Sequence, residues 1–242
     1  MLRLHYNLEK FPTGLVLGII VAASIGGLVE IAPLFMINET VERPAELRPQ
    51  TPLELAGREI YMREGCYACH SQMIRTLADE IDRYGPYSRA SESAFDHPML
   101  WGSKRTGPDL ARVGGKYSDA WHVAHLTNPR AVVPASIMPA YPWLSEPLDT
   151  SLLGPELKTL HRLGVPYTDA MIDDAQRDAE AQSRPDSDGS SGLKERYGDR
   201  VVIRHFDGNA EQVTEMDALV AYVQSLGQLT SIAYERQGET GE

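Results

Sequence analysis

Apolar positions fall into three regimes along this chain. From Gly14 to Ile37 the run GLVLGIIVAASIGGLVEIAPLFMI carries one charge, Glu30, and meets the roughly 20 residues that a helix needs to cross a bilayer. It exceeds the apolar stretch of about 7–15 residues in a cleaved signal peptide, which favours a retained anchor. Arg3 and Lys10 precede it, while Glu39, Glu42 and Glu46 outnumber Arg43 and Arg48 after it. The positive-inside tendency then predicts a cytoplasmic N-terminus with the remainder outside. Gly14, Gly18, Ala22 and Gly26 form a ridge of small residues leading to Glu30, a carboxyl at a depth where ionisable groups usually face protein or water.

The second regime is amphipathic. Residues 40–52 are polar and proline-rich and read as a linker. Leu53, Ala56, Ile60 and Tyr61 then recur at helical spacing up to Gly65, which predicts a helix. Near the end Leu219, Val220, Tyr222, Val223 and Leu226 give another apolar face, with Thr214 and Asp217 spaced as a helix cap and Gly227 as a stop. The third regime lacks clear periodicity. Residues 76–106 read as an ordered surface insertion, and prolines between Pro129 and Pro147 exclude a long helix and leave an extended loop around Met138. Residues 169–192, rich in Asp and ending in DGSSG, read as a solvated helix running into a flexible hinge. The expected organisation is a cytoplasmic segment 1–12, a transmembrane helix 13–37, a linker 38–52, one mainly α domain 53–228 with long loop insertions, and a tail 229–242.

Composition sharpens this picture in two ways. The net charge is −11 and the basic residues form no stripe, so nucleic acid is excluded as a partner. Aromatic residues are few while glycine and proline are plentiful, so the core calls for some other large apolar body.

The two cysteines supply a candidate for that body. CYACH at residues 66–70 has the spacing of covalent c-type haem attachment, with Cys66 and Cys69 bonding the vinyl groups and His70 ligating the iron. A thioredoxin-like redox pair would want a βαβ setting, and a zinc site a second ligand pair. For the sixth ligand, Met138 in VVPASIMPAYPWL stands in a proline-stiffened loop and is preferred; His122, His125 or His97 would instead give bis-imidazole ligation. A histidine and a methionine on the iron leave no open position, so the group would pass single electrons. The Gly-Pro turn in RTGPDLARVGG could bring a backbone carbonyl to the second nitrogen of His70. An anchored electron carrier, a nitric oxide reductase subunit and a haem-based gas sensor stay open on these residues alone.

Four segments, GLVEIAPLF, REGCYACHSQMIR, DHPMLWGSKRTGPDLARVGG and PRAVVPASIMPAYPWL, resemble the mono-haem subunit of cbb3-type cytochrome c oxidases across most of the chain. The resemblance implies a class I cytochrome c-like domain on one transmembrane helix in a bacterial inner membrane, with the haem domain periplasmic. It implies one haem c on Cys66 and Cys69, His70 and Met138 on the iron, and Pro108 supporting His70 through its carbonyl. Implied partners are a haem-copper catalytic subunit that reduces oxygen, a di-haem cytochrome c subunit, a cytochrome c donor and the lipid bilayer. The insertion with His97, Trp101 and Ser103 would face the catalytic subunit, with an interface calcium near Ser103.

Overall fold

The structure is a computed structural model and describes residues 5–6, 10–36 and 47–229. The chain divides into two compact units, Met1–Glu42 and Arg43–Glu242. In the first, helix α1 (Pro12–Met36) contains Pro33, and its stretch Pro12–Leu34 is the one helix among the described residues long and apolar enough to cross a membrane. The expected linker residues 38–46 and the tail from 230 onward lie outside the described residues.

The second unit is helical, with no strand among the described residues. Its centre is the crossing of α2 (Pro52–Arg63) with the last described helix, Glu215–Ser225. The cap expected at Thr214 and Asp217 forms, and a second one, not anticipated from the sequence, forms at Thr51 and Glu54. Thr51 and Glu54 form a reciprocal capping box on α2, and Thr214 and Asp217 form another on the last helix, satisfying amide groups that the first helical turn leaves without partners. The crossing is close enough to require glycine. A Cβ on Gly57 would lie 1.9 Å from the Ala218 carbonyl oxygen, so the small residue sets the approach of the two helices. Tyr61 and Tyr222 meet edge to face across the same seam, ring centroids 5.5 Å apart, and the Tyr222 hydroxyl donates to Gln72 at 3.0 Å.

Two expectations are corrected. The stretch 169–192 is no solvated helix with a hinge: it folds as α7 (Asp169–Asp173), α8 (Ala175–Ser183) and the start of α9 (Ser190–Tyr197). Helix α8 packs against α2, burying Ala175, Ala179 and Ala181. Its charge is carried inside because Arg196 of α9 forms a two-pronged pair with the fully buried Asp178. A count of exposed-type residues misses this, since the pairing partner lies 18 positions away. The second half of the proline-rich stretch 40–52 is likewise no loose linker. Leu47, Pro49, Thr51 and Pro52 are buried, Arg48 grips Glu54 with two bonds of 2.7 Å, and Thr51 donates to Gln182 of α8 at 2.5 Å.

The insertion 76–106 is ordered as expected, around α3 (Ala78–Tyr84) and a 3₁₀ turn at Ala90–Ser93. Arg75 and Arg105 both engage Glu80, and hydrogen bonds from them hold its carboxyl well below the usual carboxylate range. Trp101 donates to Ser93 at 3.1 Å. The Met138 region contains only the four-residue helix α5 (Pro129–Val132) and a 3₁₀ turn at Pro142–Ser145, as its prolines dictate.

Two tests address this packing. Gly57→Ala gains about 1 kcal/mol of helix propensity, but overpacking against Ala218 should win and destabilise the domain by about 3 kcal/mol in denaturant unfolding; unchanged stability would contradict the crossing. The second concerns Asp217, whose carboxyl is raised to about 6 by burial, with Asp207 adding to the shift. The folded chain then holds this proton more tightly than the unfolded chain, whose Asp titrates near 3.9. Stability should fall as pH rises from about 4 to about 6 and level off above, and Asp217→Asn should flatten that window in thermal unfolding.

Candidate cofactor cleft

The CYACH segment leaves the end of α2 through Gly65, whose φ of +70° is open to glycine at little cost. Cys66–Ala68 then makes one 3₁₀ turn. The amides of Cys69 and His70 both donate to the Cys66 carbonyl, at 3.1 and 2.9 Å, so the motif coils around a single oxygen. Cys66 is half-buried and Cys69 exposed.

A second segment, 105–111, clamps this turn. Gly107 donates to the Cys69 carbonyl at 2.9 Å and Leu110 to the Ser71 carbonyl at 2.8 Å. The buried Asp109 carboxylate accepts from the Ser71 hydroxyl at 2.5 Å, the Met73 amide at 3.0 Å and the Ala111 amide at 2.8 Å. The clamp fixes the imidazole. His70 Nδ1 lies 2.8 Å from the Pro108 carbonyl oxygen, and because a carbonyl can only accept, Nδ1 carries the proton and Nε2 keeps a lone pair. Gly107 backs the ring so closely that a Cβ there would sit 2.3 Å from Cε1.

His70, Cys66, Pro108 and Met138 line one cleft of about 250 Å³. Leu110, Val113, Leu126, Leu219 and Val223 give it apolar walls, the last two from the same helix that crosses α2. Helix α4 (Asp119–Thr127), capped by Ser118, contributes Trp121, His122 and His125. Tyr117 stacks on Trp121 at 4.1 Å, and Trp121 on His125 at 4.6 Å. His122 is 6% exposed, and its Nε2 has no hydrogen-bond partner; burial lowers its imidazole to about 4, so it is neutral at physiological pH.

The other expected site residues lie elsewhere. Cys69 is not among the cleft-lining residues. His97 lines a smaller, separate cavity with Arg58 and Tyr167, which takes it away from His70, whereas His122 and His125 share the cleft with Met138. Ser103 is exposed. Among the described residues no group of three His, Cys, Asp or Glu side chains could hold a metal ion. Gly107 lies in the Gly-Pro turn singled out in the sequence, whereas Trp121 and the cleft walls from the last helix carry no local signal that marks them as site residues.

The chemistry of the cleft suits haem. Its walls are apolar and aromatic, and the His70 imidazole beside Cys66 is oriented by the Pro108 carbonyl. Burial, then Glu64, push the Cys66 thiol up to about 11. That sulfur is therefore neutral, unlike the low-pKa thiolates of redox CxxC sites. These features define a cytochrome c-like helical domain built around one prosthetic group. The family described as cytochrome C oxidase, mono-heme subunit/FixO, matches residues 5–230. The chain belongs to that family, and so is a subunit of an electron-transferring oxidase complex with one haem and a catalytic partner subunit. A search among curated proteins finds no match.

Gly107→Ala should displace the His70 ring and lower haem content per chain severalfold, measured as pyridine haemochrome against protein; wild-type haem content would contradict the clamp.

Proposed function

We propose that this chain is the electron relay of a cbb3-type oxidase, carrying one covalent haem c and passing single electrons towards a haem-copper subunit that reduces oxygen to water. The observation that carries the reading is the meeting of His70, its Nδ1 already bonded to the Pro108 carbonyl at 2.8 Å, with Cys66 and Met138 in one apolar cleft. When bound, the haem supplies reversible one-electron exchange.

The roles of the chain's residues follow from that arrangement. Cys66 and Cys69 would hold the group by thioether bonds, His70 would ligate the iron through Nε2, and Pro108 would keep that imidazole oriented and more basic. Met138, which lines the same cleft, would supply the second iron ligand and leave no position open to oxygen. The thioether raises the reduction potential relative to a second imidazole. Its loop is short of helix and stiff with proline, and the Met138 amide is itself held by Ser136 at 3.2 Å. His122 and His125 are then wall residues, and the low pKa of His122 fits a neutral one.

Helix α1 serves as a single-pass anchor in a bacterial inner membrane, with the N-terminus cytoplasmic and the haem domain periplasmic. A cytochrome c donor feeds the complex, directly or through a di-haem cytochrome c subunit, and the haem-copper subunit that takes the electrons pumps protons. An interface calcium near the exposed Ser103 would draw its remaining ligands from the partner.

Met138→Leu should abolish the weak sulfur-to-iron absorption at the red end of the spectrum and lower the potential; an unchanged spectrum would sink the ligand assignment. Purified in mild detergent, the chain should travel with the haem-copper subunit, and its recovery alone would overturn the oxidase placement in favour of a separate carrier.

A further inference from the structure

The charges lining the cleft are distributed unlike those of the whole chain. The protein has 34 acidic against 23 basic residues, yet the cleft is lined by Arg83, Arg112 and Lys116 and by a single acid, Asp109. That acid is already satisfied by Ser71, two backbone amides and Arg105. Arg112 pairs with Glu92 at 2.7 Å. Arg83 and Lys116 have no carboxylate within ion-pair distance among the described residues. Arg83 lies over the Tyr84 ring at 5.2 Å, and the Lys116 ammonium is 5.8 Å from the Tyr117 ring centroid. None of the three cations is on the attachment turn. They come from α3 in the insertion and from the segment leading to α4.

Haem is polar at one edge only, where its two propionate carboxylates sit away from the vinyl positions that the cysteines take. With the vinyl edge tied to Cys66 and Cys69, the carboxylates need a cationic place elsewhere in the cleft. Cations that line the cleft without a carboxylate partner attract them, although solvent screens part of that attraction because Arg83 and Lys116 are exposed.

Resting on the haem reading above, we propose that Arg83 and Lys116, with Arg112 beside them, hold the two haem carboxylates and set the in-plane orientation of the group. Helix α3 of the insertion is thus part of the cofactor site, and Arg83 is a positioning residue. The remaining titratable groups lining the cleft, besides the iron ligand and Cys66, are Tyr61, Tyr84, Tyr117, Asp109, His122 and His125. None of these adds a cation as His122 stays neutral and burial lowers the His125 imidazole too.

The test uses the full-length chain in detergent, with Arg83→Gln, Lys116→Gln, the double variant, Arg83→Lys, and Lys158→Gln as a control on an exposed cation outside the cleft. Arg83 and Lys116 are both exposed, so folding should survive. Haem content and midpoint potential are measured from pH 5 to 9. Loss of positive charge should lower the potential. It should also move the pH range over which the potential falls, as carboxylates titrate, upward by roughly one unit in the double variant. Arg83→Lys should restore most of the shift, and the control should match wild type. Loaded variants with wild-type potentials and pH profiles would overturn this assignment alone. A wild-type chain without haem would overturn the cleft reading together with it.

Discussion

An imidazole can bind a metal only if one nitrogen gives up its proton, and in this protein the choice is made by the bond between His70 and the Pro108 carbonyl. Everything around that bond keeps the carbonyl in place. Asp109 accepts from three donors on both sides of the contact. Gly107 leaves no room between backbone and ring. The turn itself is pinned at Cys66, where two amides share one oxygen. A free imidazole would sample both tautomers and several ring angles, whereas the Pro108 carbonyl favours the tautomer with the proton on Nδ1 and the backing by Gly107 restricts the ring.

The helical frame exists to hold two such segments face to face. The crossing of α2 with the last helix brings the attachment turn, at the end of one, beside Leu219 and Val223 on the other. The contact at Gly57 sets how near they come. Helix α8 braces α2 from another direction and is tied to α9 by the pair of Arg196 with the fully buried Asp178, whose charge would be costly alone. Low aromatic content is compatible with a stable domain because the cleft is meant to be filled by something outside the sequence.

Much of this was legible from residues alone. The CYACH spacing, the stiffness of the loop around Met138 and the caps at Thr214 and Asp217 depend on chemistry local to a few positions, and local chemistry can be read. The buried helix at 175–183 could not, because its Asp178 looks like a surface acid until Arg196 is placed beside it. The same holds for Arg48 and Glu54, which turned an expected linker into part of the core. His97 was a candidate ligand by residue type and was removed by position. Arg83, in a segment read only as a surface insertion, reaches the cleft by tertiary packing that no periodicity announces.

In the proposed function His70 and Met138 would both ligate the iron and leave it no open face. Exposing the reduced, separated chain to carbon monoxide at neutral pH tests this most directly. The account predicts no change in the haem spectrum, and a stable carbon monoxide adduct would contradict it.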